Sequence, residues 1–383
     1  MPQIFRTPGV YIQEIEPSDK SITGVSTSTP LLIGTFPKGP RYAATKIRSL
    51  RDFAGTFGGP SNNHLPSLTI NQFFENGGQE IWILSTGVRF SGTATPFLRG
   101  LFLISQIPSF NILLIPETMF LPDQEAAKIF HTAVPLIEKH RAVYILDPPQ
   151  QDASRQTVRG LATWVRSQSG IQHPNVILYH PRVLVRTQGT TSSTATIPPS
   201  GTMAGVFARV DGTRGIWKAP AGTEATLQGV VGLEQVLSSQ DINLLTSANI
   251  NAFKQRSSSV YLVWGARTLS TNQEWKYVPV RRLALFLESS IENGVRWAVF
   301  EPNAEPLWAQ IRLSISNFLQ TYYRQGAFQG IKSEHAYFVK CGRDTTTPAD
   351  QATGIVNITV GFAPLKPAEF IILNIKQTVR PVP

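Results

Sequence analysis

The feature that most constrains the fold is an alternation of short apolar runs with longer amphipathic segments between residues 110 and 210. The predicted strands are 111–115, 141–146 and 176–179, and the predicted helices are 122–139, 152–169 and 200–210. Pro122 suits a first helical turn, Asp152 is a good N-cap, and Gly170 follows the second helix. Because parallel neighbours need a crossover of this length, the alternation predicts an α/β fold with a doubly wound, mostly parallel sheet.

Elements on either side of this region complete the predicted organisation. Before residue 268 we predict strands at 29–35, 80–84 and 259–265, helices at 50–57, 67–75 and about 233–238, and a polar loop at 186–200. After it we predict helices at 280–292 and 303–326, the second capped by Asn303, and strands at 297–300, 336–341, 354–361 and 369–379. The predicted units are an N-terminal strand arm (1–24), an α/β domain (25–268), an α+β C-terminal domain (269–362) and a C-terminal strand arm (363–383).

Both ends of the chain contain strand-forming segments on polar or proline-rich tethers. Residues 8–15 precede a polar stretch, and 369–377 follow Pro364 and Pro367, which favour extended backbone. The candidate arm residues are Val10, Tyr11, Ile12, Ile15, Phe370, Ile371, Ile372, Leu373 and Ile375. Each arm either completes a sheet of its own chain, the commoner use of a terminal strand, or adds to a neighbour's sheet. The pattern alone leaves both outcomes open.

Composition limits the classes of partner. The net charge of +10 suggests an acidic partner, but the basic residues are scattered, and Arg281-Arg282 is their only adjacent pair. A nucleic-acid-binding module is therefore the weaker alternative, and we expect no nucleic-acid partner. The single cysteine, Cys341, excludes an intrachain disulfide and a cysteine-based zinc cluster. No signal-peptide core or bilayer-length apolar run is visible, so we expect synthesis and assembly in the cytoplasm without membrane insertion.

Ordered segments along the chain carry a family resemblance. They are 7–15, 31–40 (LLIGTFPKGP), 73–78, 204–222, 263–269 (VWGARTL), 275–283 (WKYVPVRRL), 300–303 (FEPN), 336–341, 354–356 and 363–370 (APLKPAEF). Together they resemble contractile tail sheath proteins of phage tails, R-type tailocins and extracellular contractile injection systems. Residues 90 to 200 match only in pattern. Another tail or baseplate component is the alternative within structural proteins.

The resemblance implies a structural role. Sheath proteins form stacked hexameric rings around an inner tube, and their terminal arms join the sheets of adjacent subunits. The extended sheath is metastable and contracts to drive the tube through a target envelope. The implied partners are further copies of the chain, an inner tube protein, and baseplate and tail-terminator proteins. A C-terminal-domain helix faces the tube in this family, which makes the polar residues of the helix at 303–326 candidates: Arg312, Ser316, Gln320 and Arg324, beside Gln310.

Enzyme signals are weak throughout. The middle of sheath proteins is described as subtilisin-like, and 200–205 (SGTMAG) resembles a serine-protease nucleophile turn, but no His-Gly-Thr segment supplies a base. The sequence contains no phosphate-binding glycine loop, and the histidine pairs 131/140 and 173/180 lack the i, i+4 spacing of a helical metal site. We therefore predict no catalytic activity, no cofactor and no metal, and expect the small residues to let a helix pack close to the sheet.

Overall fold

The computed structural model of the chain describes residues 20–59, 64–187 and 193–369. Its strands are β1 (Pro30–Gly34), β2 (Thr45–Ile47), β3 (Ile81–Ser85), β4 (Ile112–Leu114), β5 (Val143–Leu146), β6 (Val176–His180), β7 (Val183–Arg186), β8 (Thr194–Ile197), β9 (Val230–Leu233), β10 (Asn251–Ser257), β11 (Val260–Trp264), β12 (Tyr337–Lys340) and β13 (Thr359–Phe362). Its helices are α1 (Leu50–Phe57), α2 (Leu65–Glu75), α3 (Thr95–Phe102), α4 (Asp123–Lys139), α5 (Val158–Ser167), α6 (Ser200–Arg214), α7 (Ser239–Ser247), α8 (Val278–Gly294), α9 (Glu305–Arg324), α10 (Ser333–Ala336) and α11 (Pro348–Ala352).

An eight-stranded sheet forms the centre of the α/β domain. Its strand order is β11-β10-β6-β5-β4-β1-β3-β2. The neighbours from β10 to β3 are parallel, whereas β11 and β2 are antiparallel strands at the two ends. A separate three-stranded sheet contains β8, β7 and β9. The predicted α/β fold with a mostly parallel sheet is confirmed.

Helices cover both faces of the large sheet. Leu114 and Ile145 belong to the core that includes α2 and α6. Their chain neighbours Leu113 and Tyr144 belong to the opposite core, with α3, α4, α5 and α7. Because successive side chains of a strand point to opposite faces, both faces of these strands are apolar, as expected for a sheet buried between two helical layers. The domain is therefore doubly wound.

The C-terminal domain has its own apolar core. Phe286 on α8 packs against Phe318 on α9, with ring centroids 6.2 Å apart, and β12 and β13 form a two-stranded antiparallel sheet next to α9. Ile22, within the predicted N-terminal arm, is buried in this core. A Cβ on Gly24 would lie 2.5 Å from the Tyr322 hydroxyl, so the chain passes tightly over α9 before it enters β1.

A buried ion pair joins the two domains. The Arg282 guanidinium on α8 bonds the Asp211 carboxylate on α6 at 2.6 and 3.0 Å, and both side chains are almost fully buried. Arg282 also donates to the Thr27 carbonyl at 2.8 Å. Because a buried cation is costly unless it is paired and hydrogen-bonded, these contacts fix α8, α6 and the segment before β1 relative to one another.

Several local predictions are wrong. The segment 233–238 is not a helix: β9 ends at Leu233, and α7 begins after Ser238, which forms a capping box with Asp241. The predicted strand at 297–300 is a turn of 3-10 helix, Arg296–Ala298. Strand β10 was not predicted at all, and β8 lies within the predicted polar loop at 186–200.

Two predicted helix caps are also wrong. Thr157, not Asp152, caps α5, because a 3-10 turn precedes the helix. The N-cap of α9 is Ala304. The Asn303 side chain instead accepts a hydrogen bond from Trp308 Nε1 at 2.8 Å and donates one to the Ile355 carbonyl at 3.0 Å. Caps depend on one or two dihedral angles, which apolar periodicity does not specify.

Candidate assembly site

The crevice at the carboxyl ends of the parallel strands is where an α/β enzyme would bind its ligand. In this chain the crevice is occupied by side chains of the chain itself. Glu117, which follows β4, accepts hydrogen bonds from the backbone N–H and the hydroxyl of Thr35, both at 2.6 Å. Asp147, which follows β5, and Ser200, which begins α6, have no solvent-exposed surface. A substrate from solvent therefore has no access to these groups.

Burial changes the protonation of both acids. Desolvation raises the pKa of Glu117 to about 7, even though Thr35 donates two hydrogen bonds to it. Desolvation also raises the pKa of Asp147 to about 8. Ser200 faces Asp147, but the hydroxyl and the two carboxyl oxygens make no hydrogen bond of ordinary geometry among the described atoms. At neutral pH this arrangement favours an uncharged Asp147, which is unsuited to orient a catalytic base.

The small residues of the 200–205 motif have a packing role. A Cβ on Gly201 would lie 2.3 Å from the Thr69 carbonyl oxygen, and one on Gly205 would lie 2.4 Å from the Phe73 carbonyl oxygen. The Thr202 hydroxyl donates to Gln72 at 3.1 Å. The close approach that we predicted is therefore present, but the partner is helix α2 rather than the sheet.

Metal binding and membrane insertion are two further properties that the arrangement of side chains can reveal. Within residues 20–59, 64–187 and 193–369, no cluster of three or more His, Cys, Asp or Glu side chains is placed to bind a metal ion. Over the same described ranges, no helix combines the length and apolarity of a transmembrane span.

The two-stranded sheet of the C-terminal domain has unpaired outer edges. Tyr337–Lys340 pair with Thr359–Phe362, and among the described residues no further strand extends this ladder on either side. Ala336 accepts a hydrogen bond from Ala363. Since hydrogen-bonded and non-bonded pairs alternate along an antiparallel ladder, the amides of Val339 and Val360 point outward, away from the partner strand. Two strands of four residues are short for an independent sheet.

The predicted tube-facing residues lie on two different faces of α9. The Arg312 guanidinium contacts the Glu305 carboxylate at 2.6 Å and also the Cys341 carbonyl. Gln320 accepts a hydrogen bond from the Tyr337 hydroxyl at 2.7 Å, and the Ser316 carbonyl lies 3.5 Å from the same hydroxyl. This face therefore lies against β12.

The exposed stripe of α9 is a different set of residues. It consists of Gln310, Leu313, Asn317, Thr321 and Arg324. Of the four predicted candidates, only Arg324 belongs to it. Lys20 lies at one end of the stripe, where its ammonium donates to Gln310 at 2.6 Å and lies over the ring of Trp297.

The strand-arm candidates lie outside the described residues, as do all residues of 1–19 and 370–383. The structure does describe the inner ends of the two predicted arms, residues 20–24 and 363–369. At the N-terminal end, Lys20 lies beside α9, where it contacts Gln310. On the C-terminal side, Glu369 lies against Arg267 of the α/β domain, with Glu369 oxygens 2.5 and 2.7 Å from guanidinium nitrogens. Sequence reasoning missed this contact, because 102 positions separate the two residues.

A filled crevice in one domain and, among the described residues, a small sheet with unpaired outer edges in the other are typical of a protein that assembles with other chains. Family models support this class: the phage tail sheath protein central domain matches residues 110–269, and the phage tail sheath C-terminal domain matches residues 270–378. The chain belongs to the phage tail sheath family.

Individual relatives agree over nearly the whole chain. A putative prophage major tail sheath protein of Pseudomonas aeruginosa (strain UCBPP-PA14) is 24% identical over 385 residues, which cover 94% of each protein. The contracted helical sheath of the anti-feeding prophage is 28% identical with a TM-score of 0.79, and the match covers 98% of this chain and 100% of that one.

A second solved structure is the contracted sheath complex of PVC, an extracellular contractile injection system. It is 29% identical with a TM-score of 0.77, and the match covers 99% of both chains. The protein is thus a structural component of a contractile tail sheath, similar to those of phage-like particles and injection systems.

Proposed function

We propose that this chain polymerises as stacked hexameric rings around an inner tube, in a metastable extended state whose contraction drives the tube through a target envelope. Support comes from the family assignment and from relatives solved as contracted sheaths. Contraction then requires subunits that rotate as rigid bodies while their links persist. The doubly covered sheet and the buried Arg282–Asp211 pair suit the chain to move as such a body.

The unpaired outer edges of the β12–β13 sheet, as seen among the described residues, are the observation that carries the proposal. The outward-pointing amides of Val339 and Val360 lie on the two outer edges of this sheet. Each edge can therefore pair with one strand from another chain. We propose that arms of neighbouring copies pair there, through 8–15 of one copy and 370–375 of another. Backbone hydrogen bonds then provide strength, and alternate side chains provide register.

The arms are long enough to extend to a neighbouring subunit. Residues 1–19 span up to about 60 Å when fully extended, and residues 370–383 up to about 45 Å. A folded body of this size is about 50 Å across. Each arm therefore matches the distance to an adjacent subunit, and either reaches a neighbour's sheet without unfolding its own domain.

We also propose that α9 contacts the inner tube. Its exposed stripe is polar apart from Leu313 and ends in the cation Arg324, which suits an acidic tube surface. Arg312 is the weaker candidate, because Glu305 already neutralises it. Baseplate and terminator proteins complete the proposed partners, with assembly in the cytoplasm and no catalytic role.

Truncation tests strand donation directly. We expect a chain lacking residues 370–383 to remain a folded, soluble protomer by circular dichroism and size-exclusion chromatography. Co-expressed with the inner tube and baseplate proteins of its particle, it should yield no striated sheath in negative-stain images, because one inter-subunit link is missing. A chain lacking residues 1–15 should behave in the same way. Contractile tubes from either truncation would contradict the proposed role of that arm.

A further inference from the structure

The C-terminal arm is attached to the α/β domain by a charged contact at its root. Glu369 is the last described residue before the arm segment 370–383. Arg267 Nε and Nη2 donate to its two carboxylate oxygens at 2.7 and 2.5 Å, a bidentate arrangement. The Tyr277 hydroxyl donates to the same carboxylate at 3.3 Å. Bidentate pairs of this kind are both strong and geometrically specific.

Arg267 is itself held rigidly at the end of the eight-stranded sheet. Its N–H donates to the Asn251 side chain at 2.7 Å, and its carbonyl accepts from that side chain at 2.8 Å. Its Nη1 donates to the Thr246 carbonyl at 2.7 Å. Only 8% of Arg267 is exposed. Two of these bonds hold the backbone of Arg267 and the third holds its guanidinium, so the group is preorganised and little entropy is lost when Glu369 binds.

The segment before Glu369 connects the two domains. Ala363 donates to Ala336 at 2.8 Å and accepts from Gln329 at 2.8 Å, and Pro364 bridges Phe328. These contacts hold residues 363–364 on the C-terminal domain, directly after β13. Residues 365–369 then line a cavity of about 1190 Å³ between the domains and end at Arg267.

The carboxylate is charged when the pair forms. Burial raises the pKa of Glu369, but the hydrogen bonds and charge of Arg267 outweigh it and leave the pKa below its usual value. The contact is therefore an ion pair at neutral pH, and its partial burial protects it from solvent screening.

We propose that Arg267 is the anchor of the C-terminal arm: it transfers tension on the arm to the eight-stranded sheet and so protects β13 from being peeled away. Without this ion pair, the first fixed point behind a pulled arm is residues 363–364, and the load falls on the end of the four-residue β12–β13 ladder. With it, the load passes through Glu369 into Arg267, whose side chain bonds α7 and whose backbone bonds Asn251 of β10. The inference rests on the proposed donation of the arm to a neighbour.

Two neutral substitutions, Glu369→Gln and Arg267→Gln, test the anchor. We expect folded protomers and normal sheath growth, because neither change removes a donated strand. Since one partner of a partly buried, bidentate charge pair is lost, the share of unbroken sheaths after controlled shear or triggered contraction should fall by about tenfold. Fragment lengths in negative-stain images measure this share. The charge swap R267E/E369R should recover part of the lost sheath integrity.

Arg182→Gln is the matched control, because Arg182 makes a bidentate pair with Glu234 in the same domain but away from the arm. Unbroken sheaths from both E369Q and R267Q, at the level of R182Q and the parent chain, would overturn the anchor. Equal breakage of R182Q sheaths would overturn it too. If R267Q fails to fold, E369Q decides alone, since its side chain lies at the edge of the body. Failure of strand donation itself is recognised separately, by sheath formation in the chain lacking 370–383.

Discussion

The eight-stranded sheet of the α/β domain and the two-stranded sheet of the C-terminal domain differ in how their edges are covered. In the α/β domain the outer edge of β11 is covered: Val263 donates to Ala225, Leu227 donates to Tyr261, and Thr226 bridges Leu262. The opposite end of that sheet is the three-residue strand β2. In the C-terminal domain, β12 and β13 have unpaired outer edges among the described residues.

This difference explains how a chain rich in strands controls its association. Exposed edges recruit strands from any chain, so soluble proteins shorten or cover them. Here the eight-stranded sheet is protected and the two-stranded sheet is left available. We infer that association is directed to one small sheet, while the larger domain stays a rigid body.

The largest effect is expected from blocking the available edges. Val339→Pro and Val360→Pro each remove an outward N–H but no bond of the β12–β13 ladder. We expect folded protomers that form no sheath in negative-stain images. Val339→Thr and Val360→Thr, which keep the N–H and the β-branched shape, are the controls and should assemble. Normal sheaths from both proline variants would show that this sheet accepts no arm.

A smaller effect is expected inside the rigid body. In Gly201→Ala, the new methyl group would lie 2.3 Å from the Thr69 carbonyl oxygen, so α6 must move away from α2. We expect the free energy of unfolding to fall by about 3 kcal/mol in urea titrations. Gly212→Ala on the same helix is the control, because its methyl group meets nothing within 4 Å. That variant should be as stable as the parent or slightly more so. Equal stability of G201A and G212A would contradict the packing role of the motif.

The smallest effect, taken per pH unit, is a pH dependence of stability that arises within the α/β domain. The native state holds a proton on Asp147 up to about pH 8, whereas the unfolded chain releases it near pH 4. The native state therefore binds more protons between these values, and stability is lost as the pH rises. The contribution of Asp147 to this loss is about 1.4 kcal/mol per pH unit between pH 5 and 7.

Asp147→Asn tests this dependence because it keeps the shape of the side chain but cannot titrate. We expect urea titrations from pH 5 to 9 to give a shallower decline, with a remainder from Glu117, whose pKa is also raised. The exposed Glu301→Gln variant should retain the full decline. An unchanged slope in D147N would show that Asp147 is ionised in the native state.

Much of the architecture followed from local patterns. Helix α1 was predicted at its observed bounds, and α4 within one residue, because apolar periodicity and terminal residues act within a few positions. The parallel sheet followed from the alternation itself. Strand β10 was missed, because its second half is polar and exposed beyond the body of the sheet.

The contacts made by the candidate site residues could not be predicted from such local patterns. The residues of α9 were assigned to one polar face, yet Gln320 lies against β12, Arg312 contacts Cys341 just after it, and only Arg324 lies on the exposed stripe. Helical spacing shows which side chains share a face but not which element covers that face. The polar side chains find partners there, the Tyr337 hydroxyl of β12 and the Cys341 carbonyl just after it, as covered polar groups usually do.

The sequence by itself determined the α/β class, the position of most helices and the family. Each of these depends on residues close together in the chain or on ordered segments that match a known pattern. The tertiary structure alone decided which groups meet across long separations: Gly201 with Thr69, Asp147 with Ser200, and Arg267 with Glu369. These pairs are set by strand order and crossover packing, so the ion pair that we propose as the anchor of the C-terminal arm becomes visible only when both domains are folded together.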